Sequence, residues 1–180
     1  HYPGRYKSWC EMEESLRMEE NFEKEKSLKK ETTAGMEDSL RMIADSFPLD
    51  AQKVRTYSAL SFAYIGDSVY DLIIRTMITT RGNTKPNKYH RQVIEYVNAG
   101  AQTQMMERIK PYLNDEEKVM FRRGKNAKPA SCAKNQSLHD YRIATGFETL
   151  IGYLYLTGQM ERIMELVAIG LSEEPAAHIE

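Results

Sequence analysis

Tyr64-Ile65-Gly66-Asp67-Ser68-Val69-Tyr70-Asp71 and Ala144-Thr145-Gly146-Phe147-Glu148-Thr149-Leu150-Ile151-Gly152-Tyr153 each set an acid among glycines inside an apolar run of helical period. A carboxylate so placed belongs at the edge of a core, where charge is costly unless it is paired or bound to a cation. Two such acids from distant segments point to a metal site. Glycine inside a helix costs about 1 kcal/mol against alanine, yet Gly66, Gly146 and Gly152 all fall within these runs. Either they serve helix packing alone, or they bring Asp67 and Glu148 together. Both acids flank the glycine positions, so the second is the expectation. Asp71 follows Asp67 by four residues and shares its helix face. It either joins the site, through a water, or is a solvated helix carboxylate. Glu95, Glu107 and Glu161 read as exposed helix charges.

Outward from these runs the chain is helical throughout. Tyr57, Leu60, Tyr64, Ile65, Leu72, Ile73 and Met77 keep helical spacing and predict one long helix over about 54–79. Upstream, Asp38 or Ser39 can cap a short helix carrying Leu40, Ile43, Ala44 and Phe47, which Pro48 stops. Arg81-Gly82-Asn83 ends the long helix and Pro86 can open the next. One or two helices follow to Leu113, with a break expected near Gly100. Asn114 or Asp115 caps another that runs through Phe121 toward Gly124. Residues 125–137 have no apolar period, contain Pro129 and read as a loop. Helix resumes near Leu138 with Tyr141, Ile143, Phe147, Leu150, Ile151, Leu154 and Tyr155, and Gly158 ends it. A last amphipathic helix carries Met160, Ile163, Met164, Val167 and Leu171. No segment alternates with period two, so the fold class is all-α.

Composition is ordinary for one globular domain: 180 residues, 41% hydrophobic and 28% charged. The net charge of −1 gives no global attraction to nucleic acid. Its distribution matters more. Glu11 to Glu31 holds eight Glu against five Lys or Arg, while Lys118 to Arg142 holds seven Lys or Arg against Asp140 alone. Residues 1–38 read as a charged, mobile extension, 39–174 as the compact domain and 175–180 as a tail. The chain begins with His1, and Met36 is a candidate biological start. No apolar run reaches the length of a membrane span, and the first residues carry no signal-like apolar segment. Cys10 and Cys132 have no metal-ligand spacing and form no disulfide framework. A cytoplasmic location is expected.

The basic segment Phe121-Arg122-Arg123-Gly124-Lys125-Asn126-Ala127-Lys128-Pro129 joins a helix end to a loop. Lys134 extends it, and Arg142 enters the next helix ahead of Glu148. Cations near a metal site suit phosphate backbones, and glycine and proline within the run favour a shaped loop over a plain helix face. Lys85, Lys88, His90 and Arg91 add a smaller cluster, in which Lys88 and His90 are candidate phosphate contacts.

Three ordered motifs resemble a known family. Ala59-Leu60-Ser61-Phe62-Ala63-Tyr64-Ile65-Gly66-Asp67-Ser68-Val69-Tyr70-Asp71 is similar to the signature helix of ribonuclease III. Arg122-Arg123-Gly124-Lys125-Asn126-Ala127-Lys128 and the run from Tyr141 to Leu156 resemble its short bacterial branch, Mini-ribonuclease III. The resemblance spans roughly 51–171. It implies an all-helical homodimer that cleaves double-stranded RNA with Mg2+, without a separate RNA-binding domain, and matures the ends of large-subunit (23S) ribosomal RNA. It puts the catalytic and metal-binding acids at Asp67 and Glu148, with Asp71 as an outer acid. Arg122, Arg123, Lys125, Asn126, Lys128, Lys134, Arg142, Lys88 and His90 become the RNA contacts. A large-subunit ribosomal protein is a possible accessory partner, and no membrane is involved. The long enzymes of the family carry further acids where this chain has Ala63 and Thr145, which leaves fewer direct ligands. Two rivals follow: an RNA-binding module with a degenerate metal site, and an HD-type phosphohydrolase built on His90 and His139-Asp140.

Overall fold

The structure is a computed structural model, and it describes residues 41–128 and 137–172. The chain divides into two compact units, 1–43 and 44–180, and the second carries the two acidic motifs. The expected extension and its Cys10, the cap at Asp38 or Ser39, Leu40, Pro129, Cys132, Lys134 and the tail at 175–180 lie outside the described residues.

The second unit contains α1 (Ala51–Thr56), α2 (Ala59–Thr80), α3 (Pro86–Val97), α4 (Ala99–Ile109), a short 3-10 turn (Lys110–Tyr112), α5 (Asp115–Lys125), α6 (Leu138–Leu156) and α7 (Met160–Leu171). The described residues contain no strand, as expected. No helix among them is long and apolar enough to cross a membrane.

The single helix expected over 54–79 is instead two. Tyr57 is extended, and the Ser58 hydroxyl caps α2 by accepting from the Ser61 backbone N–H at 3.1 Å. That local bond competes with continued helix. Downstream the break falls at Asn98 rather than Gly100. Asn98 ends α3 by donating from its amide to Ile94 O at 2.8 Å, and starts α4 by accepting from Ala101 N at 2.9 Å. Pro86 opens α3 as expected. Asn114 opens α5 through a reciprocal capping box with Glu117, both bonds at 2.9 Å. Gly158, at φ 74°, follows α6.

α6 is the axis of this unit: α2, α4, α5 and α7 all pack on it, and α3 packs on α2. A helix hydrophobic around its whole circumference has to be buried. From Ile143 to Tyr155 every residue of α6 is buried except Glu148. The Glu117 carboxylate, 1% exposed, is held by Arg162 Nε of α7 at 2.8 Å, which ties α5 to α7.

The apolar pattern sends Tyr57, Leu60, Tyr64 and Leu72 to the core, and the structure turns them outward. Tyr64 is 83% exposed. The buried stripe of α2 is Phe62, Ala63, Gly66, Val69, Tyr70, Ile73, Ile74 and Ile78. The smallest residues choose this face, because only they admit the backbone of α6.

Candidate active site

α2 and α6 cross backbone to backbone. A Cβ on Gly66 would collide with the Glu148 carbonyl oxygen and stand 2.6 Å from Gly152 N. A Cβ on Gly152 would strike the Phe62 carbonyl, with its carbon at 2.7 Å. The glycine runs thus put Asp67, next to Gly66, at the same crossing as Glu148. A second close approach lies on the α5 side of α6, where a Cβ on Gly124 would meet Thr145 O at 2.7 Å and one on Gly146 would meet the Phe121 ring at 2.7 Å.

Asp67 is exposed at the rim of the crossing, and Glu148 is half-buried behind it. Burial pushes the Glu148 carboxyl up to about 7, the Asp67 charge adds to this, and the Gln102 amide of α4 draws it back. Asp67 is also raised, by burial and then by Asp71. Both carboxylates are therefore crowded by negative charge. Among the described residues neither forms an ion pair. Asp71 is different: its carboxylate accepts from Arg75, one turn further along α2. It stands beside Asp67 as a partly neutralised charge.

Two carboxylates with raised pKa values and, among the described residues, no ion-pair partner are a donor set suited to a cation. Among the described residues no three His, Cys, Asp or Glu side chains converge. At the positions of the missing acids, Ala63 has no donor atom and the Thr145 hydroxyl donates to Tyr141 O at 2.9 Å. The residues present fit Mg2+, which keeps several waters and often takes only one or two protein carboxylates. They do not offer a cage of protein ligands.

Gln102 was not expected from the sequence. It is 1% exposed, and its Oε1 is buried with no hydrogen-bond partner among the described residues. A signal was available: Gln102, Met105, Met106 and Ile109 follow i, i+3, i+4, i+7, so a glutamine occupies a core position. Among the described residues His139 and Asp140 join no cluster of metal-ligating side chains. Asp140 Oδ1 accepts from Thr103 Oγ1 at 3.2 Å and lies 3.3 Å from His139 Nδ1, while His90 is exposed on α3.

The basic residues divide. Gly124 packs between Thr145 and Thr149, so the cationic end of α5 is level with Glu148 along α6. It lies on another face, because Thr149 is one residue and about 100° further round the helix. Arg142, exposed, shares the Thr145–Thr149 stripe by its spacing and so belongs to the α5 side. Arg122, Asn126 and Lys128 are exposed, and Lys125 is half-buried. Arg122 and Lys125 border a cleft of about 790 Å³ floored by Pro111, Leu113, Val119 and Phe121. Lys88 and His90 are exposed on α3, and Lys88 lines a separate 330 Å³ cleft with Arg81, Asn83 and Glu95. Arg123 is committed internally: its Nη2 donates to Tyr57 O at 2.7 Å and Nη1 lies 3.4 Å from Met120 Sδ. This anchors α5 to the junction of α1 and α2. Arg123→Ala should cost about 2 kcal/mol in urea denaturation, the scale of a charged hydrogen bond. A loss under 0.5 kcal/mol, the scale of an ordinary surface substitution, would show that the anchor is not maintained.

The Ribonuclease III domain family model matches residues 60–159. A Mini-ribonuclease 3 of Clostridium tetani is 47% identical over 126 residues, covering 68% of this chain and 83% of that protein. A Mini-ribonuclease 3 of Enterococcus faecalis is 46% identical over 112 residues, covering 61% of this chain and 85% of that protein. A crystal structure of a protein from Fusobacterium nucleatum aligns with a TM-score of 0.60 at 31% identity, over 65% of this chain and 95% of that one. The chain belongs to the ribonuclease III family of endoribonucleases and, within it, to the Mini-ribonuclease 3 group.

Proposed function

We propose that this chain cleaves double-stranded RNA with Mg2+, acting as a homodimer on the large-subunit ribosomal RNA precursor in the cytoplasm. The observation that carries the chemistry is the meeting of Asp67 and Glu148 at a glycine-lined crossing, both raised in pKa and neither paired. Asp67 and Glu148 would hold the ion. Once bound, it would lower the pKa of a water and stabilise charge on the scissile phosphate. The two rigid helices fix the carboxylates more firmly than loops could. Asp71 stays outside, braced by Arg75.

Asp67 is exposed and Glu148 half-buried behind it, which suits a substrate as wide as a duplex. An A-form helix hides its bases in a deep, narrow groove, so recognition rests on shape, phosphates and 2′-hydroxyls. Lys125, Asn126, Lys128 and Arg122 are the phosphate contacts we favour, with Arg142 beside them and Lys88 and His90 forming a second patch. Arg123 acts mainly by holding α5 in place. The exposed Leu60 and Tyr64, one turn apart on α2 and on the side of Asp67, support dimerisation, since large apolar side chains beside the site call for a cover. A dimer would set one site against each strand. Residues 39–174 are the catalytic domain in this reading, and a large-subunit ribosomal protein on the precursor is the accessory partner that substrate suggests.

The test is incubation of purified protein with duplex RNA in Mg2+ and then in EDTA. Cleavage in Mg2+ alone is expected. Binding without cleavage in Mg2+ would favour the degenerate binding module, which the residues at Ala63 and Thr145 otherwise motivate. Lys125→Ala with Lys128→Ala should weaken binding about equally for different duplex sequences. The slope of log affinity against log salt should fall by roughly 1 for each phosphate no longer neutralised. An unchanged salt slope in filter binding would remove this loop from the interface.

A further inference from the structure

Gln102 sits where a packing residue would serve the core better. It lies on the buried face of α4 among Thr103, Met105, Met106 and Ile109, all buried. Its side chain interacts with the Glu148 carboxylate. Its Oε1 is buried and, among the described residues, without a partner. The nearby Thr103 hydroxyl is engaged elsewhere, by Ala99 O at 2.9 Å and Asp140 Oδ1 at 3.2 Å. An ionised carboxylate only accepts hydrogen bonds. With Glu148 ionised, as a bound cation would keep it, the Gln102 NH2 is the end that faces Glu148, and the carbonyl oxygen is left free. Buried polar groups are rarely left without a partner. A free carbonyl oxygen can be satisfied only by a donor or a cation. Among the described residues no protein donor reaches it, while the neighbouring carboxylates suit a hydrated divalent ion, whose waters are donors.

We propose that Gln102 is a positioning residue of this site. Its amide nitrogen holds the Glu148 carboxylate, and its Oε1 accepts a hydrogen bond from a water of the divalent cation bound by Asp67 and Glu148. The inference rests on the metal-dependent reading given above. It concerns how the cation is held, and leaves the RNA contacts unchanged.

The test uses the full chain without RNA. Mn2+ binding is titrated by electron paramagnetic resonance, and thermal unfolding is followed in EDTA and in Mg2+. The variants are Gln102→Met, Gln102→Glu and Asp67→Asn. Methionine matches the shape of glutamine and carries no such donor or acceptor. Gln102→Met should bind Mn2+ roughly 10- to 100-fold more weakly, the usual cost of losing a residue that orients a metal ligand. The rise in melting temperature caused by Mg2+ should shrink. A purely structural role would lower the melting temperature and leave the Mn2+ affinity and the Mg2+-induced rise unchanged. In a cleavage assay Gln102→Met should lower kcat at fixed Mg2+, recover with added Mg2+, and leave KM for RNA near wild type. Gln102→Glu keeps an acceptor oxygen and should bind Mn2+ better than Gln102→Met. If Gln102→Met fails to fold, Gln102→Glu decides against the wild type: retained binding supports the proposal and a loss beyond tenfold overturns it. Wild-type Mn2+ affinity in Gln102→Met, with Asp67→Asn impaired, overturns the role of Gln102 and leaves the carboxylate site standing. Wild-type affinity in Asp67→Asn overturns both.

Discussion

Asp67→Asn should lower the rate of duplex RNA cleavage by about 10³-fold or more, and Glu148→Gln should do the same, while helix content and RNA affinity stay near wild type. The site offers two unpaired carboxylates, so either change removes half of the charge that would hold the cation. A metal ion supplies several kcal/mol of charge stabilisation in a transition state. Since 1.36 kcal/mol is a factor of ten, losing about 4 kcal/mol gives about 10³. Single-turnover cleavage with saturating enzyme is the measurement. Wild-type rates in both variants would remove these acids from the chemistry.

Stability should move the other way. Without a cation, the Glu148 carboxyl is raised from 4.5 to about 7, by burial first and the Asp67 charge second. The folded protein then holds that proton more tightly than the unfolded chain does. Stability is fully present below pH 4.5 and falls as pH rises to about 7. The loss is at most about 3 kcal/mol. Glu148→Gln keeps the shape and removes the charge. In EDTA above pH 7 it should melt at a higher temperature than wild type, and the difference should vanish at low pH. Adding Mg2+ should raise the wild-type melting temperature and leave the variant nearly unmoved.

Gly66→Ala should cost on the order of 4 kcal/mol, enough to unfold much of the protein or to part α2 from α6. The added methyl would meet the Glu148 carbonyl oxygen, its carbon at 2.8 Å and Gly152 N at 2.6 Å. All three belong to the backbone of a buried helix, so no flexible side chain can swing aside. Overpacking costs about 1–3 kcal/mol when side chains can adjust, and a backbone collision lies above that range. The helix propensity gained by alanine, about 1 kcal/mol, offsets only part of it. Gly158→Ala is the contrast. A Cβ there has nothing within 4 Å, and only its φ of 74° resists substitution, at about 1 kcal/mol. Urea denaturation of the two variants compares them directly. Equal, small losses would mean that α2 and α6 are not in backbone contact. Any folded Gly66→Ala protein should also cleave poorly, because Asp67 and Glu148 would be moved apart.

Much of this was legible in the chain. Gly66 and Gly152 have the role their positions suggested, because a glycine inside a helix has few other uses than close approach, whereas Gly146 admits Phe121 of α5 instead. Pro86, Asn114 and Gly158 mark helix boundaries through local chemistry that needs no tertiary contact. The buried face of α2 was not legible. Tyr57, Leu60, Tyr64 and Leu72 carry the strongest apolar signal, but apolar residues surround much of that helix. What selects its inner face is the smallness of Ala63 and Gly66, read against a helix about 80 residues away in the sequence. Ser58 is masked because apolar spacing continues across it, and Asn98 because the neighbouring Gly100 is the stronger breaker. Arg123 reads as a phosphate contact in a basic run, and only tertiary structure shows Tyr57 O claiming it. For Gln102 the apolar spacing of Met105, Met106 and Ile109 signals a core position, but only tertiary structure shows its oxygen idle and Glu148 beside it.

The measurement that bears most directly on the central claim is an anomalous difference map from a crystal of this protein grown with Mn2+. The expected result is a peak between the Asp67 and Glu148 carboxylates, held directly or through water, with Gln102 Oε1 facing one of its waters. A peak elsewhere with both carboxylates left bare, or one that touches neither helix, would contradict the account.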